Sequence, residues 1–481
     1  MEGFDYSTFL SVFTWRYGSK EMRKIFSELE YRRIWRQIWL YLAEAQSQFG
    51  LVSEEELADI KKHSSEVDIA KAHEIEKRIR HDLMAELNVF AEQAKVGGGK
   101  LHLGATSMDI EDNADILRIK MALDLILTRT VNVLSSISKK IEEYKNLTCM
   151  GWTHLQPAEP TTVGYRLSMY AQDLVMDIRL IEFILGNFVK GKGLKGAVGT
   201  SASFANLLRD KEGVKELEHY VMNRLGINSF RITSQTYPRK VDLIVLSGLS
   251  SIAQTCSKFA LDVRILQSPV FGEWSEPTRE EQVGSSTMAF KRNPVTCERI
   301  CSLARYIESL HNIAFQNASL TILERTLDDS ASRRIIIPEA FLACEECLIL
   351  FNKVIRGLRI YPEMVKKNLE KFGPFASTEA IMMRLVKLGE DRQKIHERIR
   401  RISMKAWEEV LKGKENPIVR LLSEDDVIGK RLNKDEIERL VNPYSYIGDA
   451  KERVEEFLDK DVRPILEMYK DRIRGEVEQV F

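Results

Sequence analysis

Apolar residues recur every three or four positions over several long stretches of this 481-residue chain. Val163, Leu167, Tyr170, Leu174, Ile178, Ile181 and Leu185 form one series, and Val241, Val245, Gly248, Ile252, Cys256, Phe259 and Val263 a second. A third, Ile300, Leu303, Ile307, Leu310 and Ala314, alternates steps of three and four as the seam of a helix bundle does. A fourth runs through Ile110, Ala114, Leu117 and Met121 after Thr106-x-x-Asp109, a capping signal. No proline occurs before Pro157, between Pro160 and Pro238, or between Pro294 and Pro338, so long uninterrupted helices fit in each gap. Four long amphipathic helices in mid-chain can bury their faces only on one another. The pattern therefore predicts an all-α fold around a central bundle.

The flanks read differently. Residues 1–106 hold shorter helical patterns and end near the glycine run Gly97-Gly98-Gly99, whereas from Tyr361 onward Pro362, Pro374, Pro417, Pro443 and Pro464 divide the chain into short, charged helices. Three helical domains are expected: 1–106, a bundle over 107–360, and 361–481. Composition supports helix over a turn-rich β chain, with 26 glycines and 12 prolines against 30% charged residues. Lys+Arg and Asp+Glu number 71 each, so no global field attracts nucleic acid or an anionic membrane, and an anionic ligand must be held by a local cluster of cations. Six cysteines are too sparse for a disulfide framework and fit a reducing, cytoplasmic setting. The acidic start has no basic region followed by an apolar stretch, so no secretory signal is read.

Several local motifs compete for chemical roles. Cys344-Glu-Glu-Cys347 lacks a second pair and a nearby histidine, and lies inside a helical pattern, which favours buried structural thiols. Gly191-x-Gly193-x-x-Gly196 follows a helical pattern instead of a strand, so it reads as a glycine-rich turn rather than a dinucleotide site. Asp328-Asp329, with Arg325, Arg333 and Arg334 alongside, reads as a salt-bridged turn or anion site. The connection from about 268 to 294 carries Gly284-Ser285-Ser286-Thr287-Met288-Ala289-Phe290-Lys291-Arg292-Asn293-Pro294 and is too long for a tight turn. Hydroxyl residues beside a lysine offer a basic serine oxygen, because a nearby ammonium and backbone N–H groups stabilise the alkoxide. His154, in a proline-punctuated lead-in to a long helix, and His81, between Arg80 and Asp82, supply groups for acid–base work on an anion.

Together with Trp35-Arg36-Gln37-Ile38-Trp39, Leu42-Ala43-Glu44-Ala45, His102-Leu103-Gly104-Ala105-Thr106-Ser107, Ser234-Gln235-Thr236-Tyr237 and Glu324-Arg325-Thr326-Leu327-Asp328-Asp329-Ser330, these segments resemble the adenylosuccinate lyases of the fumarase/aspartase superfamily, in particular the animal-type members. The likeness covers nearly the whole chain. One departure is Ala289, where the family pattern has proline, which leaves φ free at that position. The resemblance implies β-elimination of fumarate from adenylosuccinate, giving AMP, and from SAICAR, giving AICAR, in purine biosynthesis. By family position Ser285 is the base, with Ser286 the less favoured choice; Lys291 holds developing charge, His154 is the general acid with Glu298 orienting it, and His81 faces the substrate. Arg16, Tyr17, Arg80, Asp82, Thr106, Ser107, Gln235, Asn293, Arg299, Arg325, Ser330 and Arg334 match substrate-binding positions. The resemblance further implies a homotetramer with sites shared between subunits, a nucleotide as partner, and neither metal nor organic cofactor. The competing readings are another fumarate-releasing lyase, such as an argininosuccinate lyase, and a non-catalytic crystallin-like homologue; Arg80-His81-Asp82 and Arg325 to Arg334 oppose the first, and retention of Ser285, Lys291, His154 and Glu298 opposes the second.

Overall fold

The computed structural model describes residues 7–278, 281, 287, 288 and 290–473. Helices build most of it. In chain order the principal ones are α1 (Glu28–Gln48), α2 (Ile69–Ile79), α3 (Asp82–Gln93), α4 (Ser107–Tyr144), α5 (Val163–Asn187), α6 (Lys240–Gln267), α7 (Val295–Ser319) and α8 (Asp328–Gly357). They continue with α9 (Pro362–Ala376), α10 (Thr378–Lys387) and α11 (Arg392–Leu411), followed by short helices. α4 to α8 form the bundle: α6 packs on α5, α7 and α8, and α4 packs on α5 and α8. α6 is long and apolar enough to cross a membrane by composition, but here it is a core helix with its apolar face packed inside the bundle.

The seams read from the sequence account for this packing. Every residue of the second and third series is buried, and the first is buried up to Ile181, with Leu185 half-buried. The fourth holds only at its start. Ile110 and Ala114 are buried, Leu117 is half-buried and Met121 is exposed, while Ile116, Ile119, Leu123 and Ile126 continue the buried face. α4 is 38 residues long and touches α1, α5 and α8, so its apolar stripe widens and rotates away from a single seam. Its start is as expected: Thr106 and Asp109 form a capping box.

The segment before α5 is a correction. The proline-punctuated stretch is not a simple lead-in but an antiparallel hairpin of β1 (Thr148–Thr153) and β2 (Gln156–Thr162). Its two-residue tip is His154-Leu155, with φ of 54° and 57°, as a primed hairpin turn requires. Pro157 and Pro160 bar a helix there yet are tolerated in a two-stranded ladder, where each strand has a free edge. A second short pairing, β3 (Trp274–Ser275) with β4 (Arg359–Ile360), ties the chain after α6 to the end of α8. These strands leave the all-α character unchanged.

One apolar core runs from Phe13 through the bundle to Ile360 and takes in Val454, Leu458 and Val462, while residues 381–441 enclose a separate core. All six cysteines are free and buried, with Cys344 and Cys347 inside α8 as their spacing suggested.

Candidate functional site

One end of the bundle gathers polar segments from four regions of the chain. Arg80 ends α2 in the left-handed conformation, φ 58°, which swings the chain so that His81 caps α3. The His81 Nε2 and Ser107 Oγ atoms lie 3.3 Å apart at the start of α4. Beside them the Arg334 guanidinium donates to Asp82 at 2.6 Å. Burial pushes the Asp82 carboxyl up, but Arg334 and the Leu83 N–H more than offset this and hold it below its ordinary value. Arg325 and Ser330 join Asp82 and Arg334 in lining a cavity of about 450 Å³. The Gln235 N–H donates to the Glu324 carbonyl at 3.1 Å, so the 234–237 segment docks against the turn that carries Arg325.

Buried ion pairs hold this end rigid. Arg239 donates twice to Asp112, at 3.1 and 3.2 Å, and to Asp329 at 2.6 Å, while Arg325 reaches the other Asp329 oxygen at 2.9 Å. Asp329 is thus salt-bridged, as its neighbours suggested, but in the first turn of α8, and Asp328 accepts instead from the Thr326 hydroxyl at 2.9 Å. Arg333 donates to Asp242 at 2.7 Å and to the Tyr237 hydroxyl at 2.5 Å, and that hydroxyl in turn donates to Asp242. Both arginines are buried and their charges are met, so they fix the starts of α4, α6 and α8 relative to one another.

Asp109 performs the same service for Thr106 and Ser107. Its carboxylate accepts the N–H groups of Thr106 at 2.9 Å, Lys195 at 3.0 Å and Gly196 at 3.2 Å, and the Lys192 ammonium. The glycine-rich motif at 191–196 is therefore a collar around a carboxylate. At Gly191 a Cβ would lie 2.3 Å from Asn113 Oδ1, which explains glycine there without a nucleotide phosphate.

A second group surrounds the start of α7. Glu276 is buried and accepts the N–H groups of Thr296 at 3.1 Å and Cys297 at 2.9 Å, fixing the helix terminus that carries Glu298 and Arg299. Lys291 and Asn293 lie just before it, where Gln267 at the end of α6 donates to the Arg292 carbonyl at 3.0 Å. The Arg299 guanidinium lies 5.8 Å from the Tyr17 ring centroid, and the N-terminal segment holding Arg16 and Tyr17 is tied to α8 by Gly18 N–H to Glu346 and Ser19 N–H to Glu345. Ser285 and Ser286, with Gly284 and Ala289, lie outside the described residues.

His154 stands apart, exposed at the tip of the β1–β2 hairpin. Trp152 anchors that hairpin against Phe271, just past α6, with ring centroids 4.9 Å apart. α7 has 25 residues and is about 37 Å long. Glu298 in its first turn and Arg325 beyond its last are therefore about 30 Å apart along the bundle. Within one chain the Asp82–Arg334 end is far from the start of α7, while the hairpin bearing His154 and the segment before α7 both pack beside the end of α6. Among the described residues no group of three or more His, Cys, Asp or Glu is arranged to hold a metal ion.

Comparison with known proteins follows the same lines. Residues 17–308 match the family described as Lyase, and residues 374–457 match that described as Adenylosuccinate lyase C-terminus. The chain is 40% identical over 479 residues to adenylosuccinate lyase of Saccharomyces cerevisiae, covering 98% of both. The chain belongs to the adenylosuccinate lyase family. Other relatives carrying that name include those of Schistosoma mansoni, 39% identical with 97% of this chain and 98% of the relative covered, and Pyrococcus horikoshii, 36% identical with 92% and 96% covered. Solved structures share the fold: fumarate lyase from Mesorhizobium sp. BNC1 superposes with a TM-score of 0.81 at 22% identity, covering 92% of this chain and 99% of that one. The 3-carboxy-cis,cis-muconate lactonizing enzyme from Pseudomonas putida gives 0.83 at 20% identity, covering 94% and 99%. Against the adenylosuccinate lyase background, sequence reasoning read Asp109 only as a cap and missed Lys192, Asp112, Arg239 and Asp242; all of these touch partners 80 or more residues away.

Proposed function

We propose that this chain catalyses β-elimination of fumarate from adenylosuccinate, giving AMP, and from SAICAR, giving AICAR, and that it works as a cytoplasmic homotetramer. The observation that carries this reading is the convergence at one end of the bundle of Arg80-His81-Asp82, Thr106-Ser107, Gln235 and Arg325 to Arg334, in a chain of the adenylosuccinate lyase family. Arginine suits the role, because the substrate carries a phosphate and two carboxylates and the guanidinium fork pairs with either.

Family position assigns the remaining residues, and the chemistry explains their roles. The proton to be removed sits on a carbon next to a carboxylate and is very weakly acidic, so a positioned base and stabilisation of the dianionic carboxylate are both required. Ser285 takes that proton, and the C–H electron pair becomes the double bond of fumarate. The C–N bond then breaks with its pair on nitrogen, which accepts a proton from His154 oriented by Glu298. Lys291 meets the developing charge and Asn293 orients the carboxylate. His81, Arg16, Tyr17 and Arg299 complete the substrate contacts.

Assembly supplies what one chain lacks. The separation of about 30 Å between Glu298 and the Arg325 segment is far longer than the substrate, which supports sites completed by residues from neighbouring copies. The outer face of α5 fits that role: Met169, Met176, Leu180 and Phe183 form an exposed apolar stripe at helical spacing. Side-by-side assays with adenylosuccinate and argininosuccinate test the reading. Fumarate is expected from the first only, and release from argininosuccinate instead moves the chain to another branch of the superfamily.

A further inference from the structure

Glu111 lies one turn beyond Ser107 on α4, so the two side chains share a face of the helix. It is 7% exposed and lines the cavity between α1, α2, α4 and α8 that also holds Asp82 and Arg334. Among the described residues it has no hydrogen-bond or ion-pair partner, and its neighbours show why this is unusual. Every other carboxylate around the cavity is matched. Asp82 takes Arg334 from α8; Asp115, one turn along α4, takes Arg118 and Arg333; Glu28 of α1 takes Arg32 and His73 of α2; and Glu76 of α2 faces Arg32 at 3.8 Å. Asp112, also near Glu111, is held by Arg239, and Arg325 is held by Asp329. Tyr31 of α1 also faces the cavity; its phenol is pushed well above its ordinary value by burial and then by Asp115, and stays protonated.

A carboxyl group left unmatched in such a place has a defined influence on the one exposed arginine beside it. We propose that Glu111 is a positioning residue for anion recognition: neutral, it leaves the Arg334 guanidinium free to exchange Asp82 for a phosphate or carboxylate of the ligand, and ionised, it competes with that anion. The inference rests on the reading that Arg334 contacts the substrate. Burial, and then the negative charges of Asp82 and Asp115, push the Glu111 carboxyl up to about 8, with Arg334 pulling the other way. Near neutral pH the group is mostly neutral, and it ionises within the range where the protein can be assayed.

The test measures equilibrium binding of AMP to the intact protein at pH 7 and pH 9, with the KM and kcat for adenylosuccinate as a second readout. If only the neutral form permits binding, a group titrating near 8 raises the Kd about tenfold over this interval. The KM is expected to rise in parallel while kcat follows its own profile. Glu111→Gln, which fixes the neutral form, is expected to bind AMP at pH 9 within about twofold of the wild-type value at pH 7. Wild-type protein that binds AMP no more tightly at pH 7 than at pH 9 overturns the inference, as does a rise that persists in Glu111→Gln. The binding arm does not depend on turnover, so wild-type protein that binds AMP with this pH dependence but leaves adenylosuccinate uncleaved contradicts the proposed reaction and supports the role of Glu111.

Discussion

The buried pair of Lys192 and Asp109 is the joint between the glycine-rich collar and the start of α4, and Lys192→Met tests it. Both side chains are fully buried. Removing the ammonium leaves a carboxylate without water, and breaking a buried pair from one side costs about 3–5 kcal/mol. Here the carboxylate keeps three N–H donors, from Thr106, Lys195 and Gly196, so the expected cost is at the lower end, about 3 kcal/mol. At 1.36 kcal/mol per factor of ten, local opening at the collar becomes about a hundredfold more frequent. Hydrogen exchange reads this directly: the amides of Lys195 and Gly196 are expected to exchange about a hundredfold faster in the variant, with little change at α6. Asp109→Asn added to Lys192→Met removes the stranded charge and is expected to recover most of the protection. Because the collar holds Thr106 and Ser107, the single variant is also expected to raise the KM. Exchange at these two amides within threefold of wild type refutes the argument that the ion pair holds the collar.

Three further outcomes are expected. Gly199→Ala places a Cβ 2.1 Å from the Thr233 carbonyl oxygen at a φ of +83° and is expected to destabilise by about 2–3 kcal/mol in denaturant titrations, whereas Gly186→Ala in α5 has open space and is expected to be neutral or stabilising. Glu111 has a folded pKa raised from 4.5 to about 8, so its burial costs nothing below the unfolded value, costs increasingly as pH rises toward 8, and is constant above; Glu111→Gln is therefore expected to gain stability over wild type by on the order of 3–5 kcal/mol at pH 9 and little at pH 4. Ser285→Ala and His154→Ala are each expected to lower turnover by at least about a thousandfold. If the two residues of one site come from different chains, subunits of the two variants exchanged into mixed oligomers are expected to recover about a quarter of wild-type activity, and no recovery places both on one chain.

How far the chain could be read in advance follows from the range of each interaction. The seams on α6 and α7 are local, with each apolar residue three or four positions from the next, and every residue in them is buried. The Thr106–Asp109 box is equally local, and the structure contains it. The hairpin bearing His154 escaped because its prolines favour no element alone and its turn uses His and Leu in place of the glycine or asparagine that signals a primed turn. The collar escaped for another reason. Lys192 and Asp109 are 83 residues apart, and nothing in the spacing of Gly191, Gly193 and Gly196 says that their ligand is a side chain of the same protein. Arg239 was equally hidden, since a lone arginine becomes informative only when Asp112 and Asp329 close around it, and Arg333, read beside Asp328-Asp329, takes the distant Asp242 as its partner. Glu111 carried no signal in the sequence, because its lack of a partner is a property of the folded cavity.

This chain breaks a carbon–nitrogen bond and releases fumarate from a succinylated nucleotide. The most direct measurement follows purified protein with adenylosuccinate and quantifies AMP and fumarate chromatographically as substrate disappears. The two products are expected in equal amounts, with release abolished in His154→Ala. Adenylosuccinate left intact, or AMP formed without fumarate, contradicts a fumarate-releasing elimination.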